Sequence, residues 1–87
     1  MRKEYRSGRV RLTGEDLAEL RRECYERDNQ CCRVCGVPLY FNARFDGDPI
    51  GYEMAHIKSR GAGGSDSLDN VRALCGKDHR AEHQGRP

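Results

Sequence analysis

The chain has 87 residues, with five Cys, three His, no Trp and a formal net charge of +2. A chain this short holds one small domain, and its sparse apolar content calls for a metal or a disulfide staple to complete the core. No apolar run approaches the roughly 20 residues of a membrane span, and the opening "MRKEYRSGRVR" does not resemble a secretory signal. An intracellular, cytoplasmic setting with reduced thiols is expected, and the odd Cys count argues against a simple disulfide framework.

The charge is unevenly spread. Residues 1–11 carry Arg2, Lys3, Arg6, Arg9 and Arg11 against Glu4, a local +4, which leaves −2 on the rest. We read a basic N-terminal arm over 1–11 and a stapled domain over 12–87. Such an arm suits phosphate contact; the same composition also describes a solvated tail.

"LTGEDLAELRRECYERD" is the clearest helix. Thr13 followed by Asp16 resembles a capping box. Leu17, Leu20 and Cys24 recur at helical spacing, so Cys24 reads as a small core residue. The β-prone pieces Leu39–Phe41 and Tyr52–Ile57 then flank "DGDP", which predicts a loose hairpin whose second strand ends near His56. "KSRGAGGSDSLDN" is a loop. A final helix is expected from Lys77 or Asp78 to Gly85. The predicted order is helix, knuckle, strand, strand, long loop, helix.

Two short pairs have the layout of a structural zinc site. Cys32 and Cys35 form a CxxC ahead of Gly36; Cys75 and Asp78 form a CxxD around Gly76, with 39 residues separating the two pairs. Two-residue spacing lets both side chains of a tight turn face one ion, and Gly supplies the backbone freedom. Asp78 stands where a fourth Cys is usual; zinc accepts carboxylate oxygen, with a less soft site as the result. Cys31 is the substitute ligand, although it adjoins Cys32. A redox CxxC or a disulfide is the competing reading, and a redox motif usually sits in a βαβ context that is absent here.

A second constellation overlaps the first. His79 and His83 at i and i+4 share a helix face, with Cβ atoms about 6 Å apart, close enough to grip one cation. His56 ends a strand and Asn70 lies in the loop.

Taken together, "EMAHIKSRGAGGSDSLDNVRALCGKDHRAEH" resembles the HNH endonuclease motif, over Cys32 to His83. The resemblance implies a small α+β fold: an N-terminal helix, a zinc knuckle and a ββα-metal (His-Me) finger. It implies a catalytic set of His56, Asn70 and His79. His56 would deprotonate water, as a neutral imidazole can near pH 7. Asn70 would brace the loop and orient His56. His79 and His83 would hold one divalent cation (Mg²⁺, Mn²⁺, Ni²⁺ or Zn²⁺), whose charge stabilises the pentavalent phosphorane and the departing 3′-oxygen. The implied substrate is DNA, cut to 5′-phosphate and 3′-hydroxyl ends. Small free-standing proteins of this kind are frequent in phages and bacteria.

One position departs from the pattern. The residue before the catalytic His is usually an Asp or His ligand; here it is Ala55. Glu53 lies two residues earlier, on the same face of a regular strand, and is the candidate third ligand. Lys58, Arg60 and Arg72 flank the site as candidate phosphate contacts. The alternative functional reading is a non-catalytic zinc module that binds nucleic acid or protein. Such a module has no use for His56, Asn70, His79 and His83 in register. Oligomeric state and sequence specificity are not legible.

Overall fold

The computed structural model describes residues 4–6 and 9–84, with side-chain surroundings for 10–82. Among the described residues the strands and α-helices follow in chain order as β1 (Glu4–Arg6), β2 (Arg9–Arg11), α1 (Gly14–Arg27), β3 (Tyr52–His56), β4 (Val71–Cys75) and α2 (Gly76–Gln84), with two single-turn 3-10 helices, Arg60–Ala62 and Leu68–Asn70, between β3 and β4. β1 pairs antiparallel with β2, and β3 antiparallel with β4. Both helices pack against the β3–β4 pair, so the molecule is a small α+β domain. Among the described residues no helix is long and apolar enough to cross a membrane.

Helix α1 forms where the periodicity predicts it and buries Leu20 and Cys24 on its inner face. The capping box is not realised. Thr13 is the N-cap residue, but its side chain makes no cap hydrogen bond; its carbonyl accepts from the Asp16 amide at 3.2 Å instead. The helix stops at a buried carboxylate. Asp28 accepts from Arg27 Nε at 2.8 Å, from Arg33 Nη1 at 2.7 Å and from the Ala73 amide at 2.8 Å. Three donors satisfy a group that would otherwise be costly to bury, and the last of them ties α1 to the middle of β4.

The expected hairpin of Leu39–Phe41 with Tyr52–Ile57 is replaced. Residue 40 makes one isolated bridge to residue 51, and β3 takes its full ladder from β4, with Tyr52 opposite Cys75 and His56 opposite Val71. "DGDP" does turn, with Gly47 at φ 78°. The loop around it nonetheless wraps the buried Asp48 carboxylate, which accepts from the amides of Arg44 and Ile50 and pairs with the Arg44 guanidinium. Those bonds compete with a strand ladder and win, because an unsatisfied buried carboxylate costs more than a short pairing returns. The order is therefore two short paired strands, which the sequence reading placed in a basic arm, then helix, knuckle, strand, loop, strand, helix.

The core gathers Leu12, Leu20, Cys24, Leu39, Tyr52, Ala55, Val71, Ala73 and Leu74. Tyr25, Phe41 and Tyr52 pack ring to ring at 5.0–5.8 Å beside it, with the Arg21 guanidinium over Phe41 and Tyr52. Cys24 is fully buried in this core, as its place in the helix stripe requires.

Candidate metal centre and nucleic-acid cleft

The knuckle turn is built by local sequence. Gly36 takes φ 80°, its amide reaches back to the Cys32 carbonyl at 2.9 Å, and the Cys32 amide bonds the Val37 carbonyl at 2.9 Å. The Arg33 amide then bonds the Ala73 carbonyl at 2.9 Å, which lays the turn along β4. Cys75 ends β4, and Asp78 sits in the first turn of α2. Cys32, Cys35, Cys75 and Asp78 thereby converge, with one ligand atom from each lying within 4.8 Å of the others. Asp78 Oδ2 lies 3.2 Å from Cys32 Sγ, and Cys35 Sγ lies 3.9 Å from Cys75 Sγ.

Three thiols and a carboxylate at such spacing fit a tetrahedral metal ion, so these four residues could hold one. Cys31 stands outside the cluster. All five cysteines are free thiols. Burial pushes the Cys75 thiol up to about 12, so a metal ion must displace its proton on binding. Gly76 is required for closeness rather than for a positive φ: a methyl group there would collide with the Asp48 carbonyl.

On the neighbouring side of α2, His79 lies against Glu53 of β3, Nδ1 to Oε1. His83 follows four positions later in α2, and its side chain lies outside those described. Ala55 is 2% exposed and carries no ligand atom, whereas the Glu53 side chain is 41% exposed. The donor set of imidazole and carboxylate suits a borderline or hard divalent cation.

His56 ends β3. It and His79 line one open cavity of about 730 Å³, together with Met54, Lys58, Arg60 and Arg72. Lys58 is exposed at its rim. Arg72 pairs with Glu82 of α2, and its Nε is buried without a hydrogen-bond partner. Arg60 is engaged by the carboxylate of Asp66.

Asn70 braces the loop from inside. Its Oδ1 accepts from the Lys58 amide at 2.9 Å, and its Nδ2 donates to the carbonyls of Lys58 at 3.0 Å and Ser65 at 2.8 Å. The Ile57 amide bonds the Asn70 carbonyl at 2.8 Å, extending the β3–β4 contact past His56. These bonds go to the backbone on both sides of the loop, and none of them reaches the imidazole. The direct partner is Asp66, which sequence reasoning missed: its Oδ1 lies 2.8 Å from His56 Nε2. Burial by itself would raise the Asp66 carboxyl, but Arg60, the Leu12 amide and His56 outweigh it and hold the group well below the usual carboxylate range.

Residues 32–85 match the profile described as HNH endonuclease. The match spans more than half of the chain, and the chain belongs to the HNH endonuclease family. It is a nuclease-type domain, of a family that works on nucleic acid with divalent metals. Neither the curated proteins nor the solved structures include a match to this chain.

Proposed function

We propose that this chain is a metal-dependent endonuclease that hydrolyses phosphodiester bonds in DNA. The observation that carries the reading is one cleft shared by His56, His79 and the cations Lys58, Arg60 and Arg72, with Glu53 set against His79. Such a cleft places cationic side chains where a phosphate backbone would lie, with Arg60 and Arg72 held in place by Asp66 and Glu82. It also sets the His56 imidazole beside a place for a divalent ion.

In this reading His56 takes a proton from a water molecule. The water O–H bond breaks, the oxygen attacks phosphorus, the bond from phosphorus to the 3′-oxygen breaks, and that oxygen is protonated from solvent. His79, His83 and Glu53 hold the catalytic cation. When bound, a divalent cation supplies Lewis-acid charge to the phosphate oxygens and the leaving oxygen. Asn70 fixes the backbone at Lys58 and so the exit of the chain from His56. Lys58 and Arg72 contact the backbone phosphates, and Arg60 adds charge while held by Asp66. Cys32, Cys35, Cys75 and Asp78 hold a structural Zn²⁺ that staples α2 to the knuckle.

Supercoiled plasmid incubated with Mg²⁺, Mn²⁺, Ni²⁺ or Zn²⁺ tests the proposal. Nicking by the wild type with at least one cation, and its loss in His56→Ala, is the expected result. If no cation supports nicking, or if His56→Ala cuts equally well, the non-catalytic zinc module takes its place. Ala55, which removes a usual ligand, is the specific feature that favours that second reading.

A further inference from the structure

Asp66 sits in a glycine- and serine-rich loop, where an acidic side chain is ordinarily solvated. Here its side chain is fully buried and its four acceptor positions are filled. Oδ1 takes His56 Nε2 at 2.8 Å and Arg60 Nε at 2.9 Å; Oδ2 takes the Leu12 amide at 2.9 Å and Arg60 Nη2. An ionised carboxylate only accepts hydrogen bonds. The His56 nitrogen facing it must therefore carry a hydrogen, which leaves the lone pair of the neutral ring on Nδ1.

The second half of the observation concerns the N-terminal segment. The Asp66 amide bonds the Val10 carbonyl at 2.8 Å, and the Val10 amide bonds Ser65 Oγ at 3.1 Å. Arg11 donates to the carbonyls of Gly64 at 2.6 Å and Arg60 at 3.0 Å. The end of β2 is thus stitched along residues 60–66, and the Leu12 amide closes the series on Asp66 itself. Every one of these bonds joins residues far apart in sequence, so the loop's shape depends on β2 being in place.

We infer that Asp66 is the positioning residue of His56, keeping hydrogen on Nε2 and the lone pair on Nδ1, and that β2 in turn holds Asp66. The inference rests on the reading of His56 as the general base. It gives the basic N-terminal segment a buttressing role in the site, in addition to any contact with phosphate. A residue of this kind acts on the turnover step, because it sets which nitrogen takes the proton; it leaves substrate affinity to the cations of the cleft.

The test uses the full chain loaded with zinc. Two-bond proton–nitrogen correlation on ¹⁵N-labelled histidine, at a pH where the imidazole is neutral, reads the tautomer directly. Wild type is expected to show His56 with hydrogen on Nε2, and Asp66→Ala a mixture of both tautomers. Asp66→Ala is expected to lose about 10- to 100-fold in kcat, the scale seen when a carboxylate that orients a histidine is removed; it also releases Arg60, so KM is read in the second variant. Ser65→Ala removes no charge and only the bond to Val10; it is expected to lower kcat about two- to fivefold, one hydrogen bond's worth, without a change in KM. If wild-type His56 carries its hydrogen on Nδ1, the inference is wrong. A folded, zinc-loaded Asp66→Ala with wild-type tautomer and kcat also overturns it. Should Asp66→Ala fail to fold, the wild-type tautomer and Ser65→Ala decide. A wild type that cuts nothing with any cation removes the nuclease reading, while the tautomer still decides the pairing.

Discussion

Glu53 and His79 meet across the junction of β3 with α2, carboxylate Oε1 to imidazole Nδ1. Glu53 pairs with Leu74 in the ladder, and the chain turns into α2 after Cys75, so the register of β3 on β4 decides which β3 side chain greets the helix. If this pair is half of a cation site, Glu53→Ala weakens binding of a catalytic divalent ion by about tenfold or more, the scale of losing one ligand or its support. Calorimetric titration of Mn²⁺ into zinc-loaded protein measures it. An unchanged affinity removes Glu53 from the ligand set.

The thiol cluster makes a separate prediction. Asp78 is the only oxygen donor among Cys32, Cys35, Cys75 and Asp78. Asp78→Ala is expected to lose zinc or hold it about 100-fold more weakly, which at saturating metal lowers stability by about 2.7 kcal/mol. Asp78→Cys restores a four-sulfur set and is expected to bind zinc more tightly than wild type. Elemental analysis after dialysis against a chelator ranks the three proteins, and equal zinc content in Asp78→Ala would show that the carboxylate is not a ligand.

Gly64 and Gly61 lie in the same loop and behave oppositely. A methyl group on Gly64 would sit inside the Lys58 carbonyl and press on Asn70 Nδ2, whereas one on Gly61 meets nothing within 4 Å. Gly64→Ala is expected to cost about 3 kcal/mol, the upper end for overpacking, because the obstacle is backbone. Gly61→Ala stays within about 0.5 kcal/mol. Urea unfolding midpoints separate the two.

Asp28 sets an acid limit. Burial would raise its carboxyl, yet Arg27, the Ala73 amide and Arg33 outweigh that and lower it to about 2. Its folded value lies below the unfolded one, so the stabilisation is complete above the ordinary carboxylate range. It fades as pH falls from about 4 through about 2, and the difference is about 2 kcal/mol. Asp28→Asn is expected to be less stable at pH 7 and to show a flatter loss across that window. Thermal melts of both proteins between pH 7 and pH 2.5 measure it; parallel curves would rule out the carboxylate as the cause.

Much of the fold was legible in the sequence because its signals are local. The α1 stripe, the two short metal-ligand pairs and the "DGDP" turn each lie within a few residues. Strand β4 was not, since "VRALC" is buried on four of five positions and shows no alternation to mark it. Its partner is declared only by the β3 ladder. The false hairpin had the opposite fault: Leu39–Phe41 has strand-like composition, but the buried Asp48 organises the loop that follows. Asp66 was hidden for a related reason. Its burial depends on Leu12 and Arg60, which come to it from 54 and 6 residues away. A polar residue in a flexible-looking loop carries no local mark of such company. His56, Asn70 and His79 were singled out because motif spacing registers the order of residues along the chain; Asp66 is placed by what surrounds it.

The adjacency of Asp78 and His79 has one further consequence. Successive side chains on an α-helix point about 100° apart. Asp78 accordingly faces the thiols, 3.2 Å from Cys32 Sγ, while His79 faces the Glu53 carboxylate. One peptide unit thus divides a sulfur-rich corner from one lined by nitrogen and oxygen. In the proposed nuclease, the pitch of α2 would thereby turn a soft-ion corner and a hard-ion corner away from each other, with a single residue step between them.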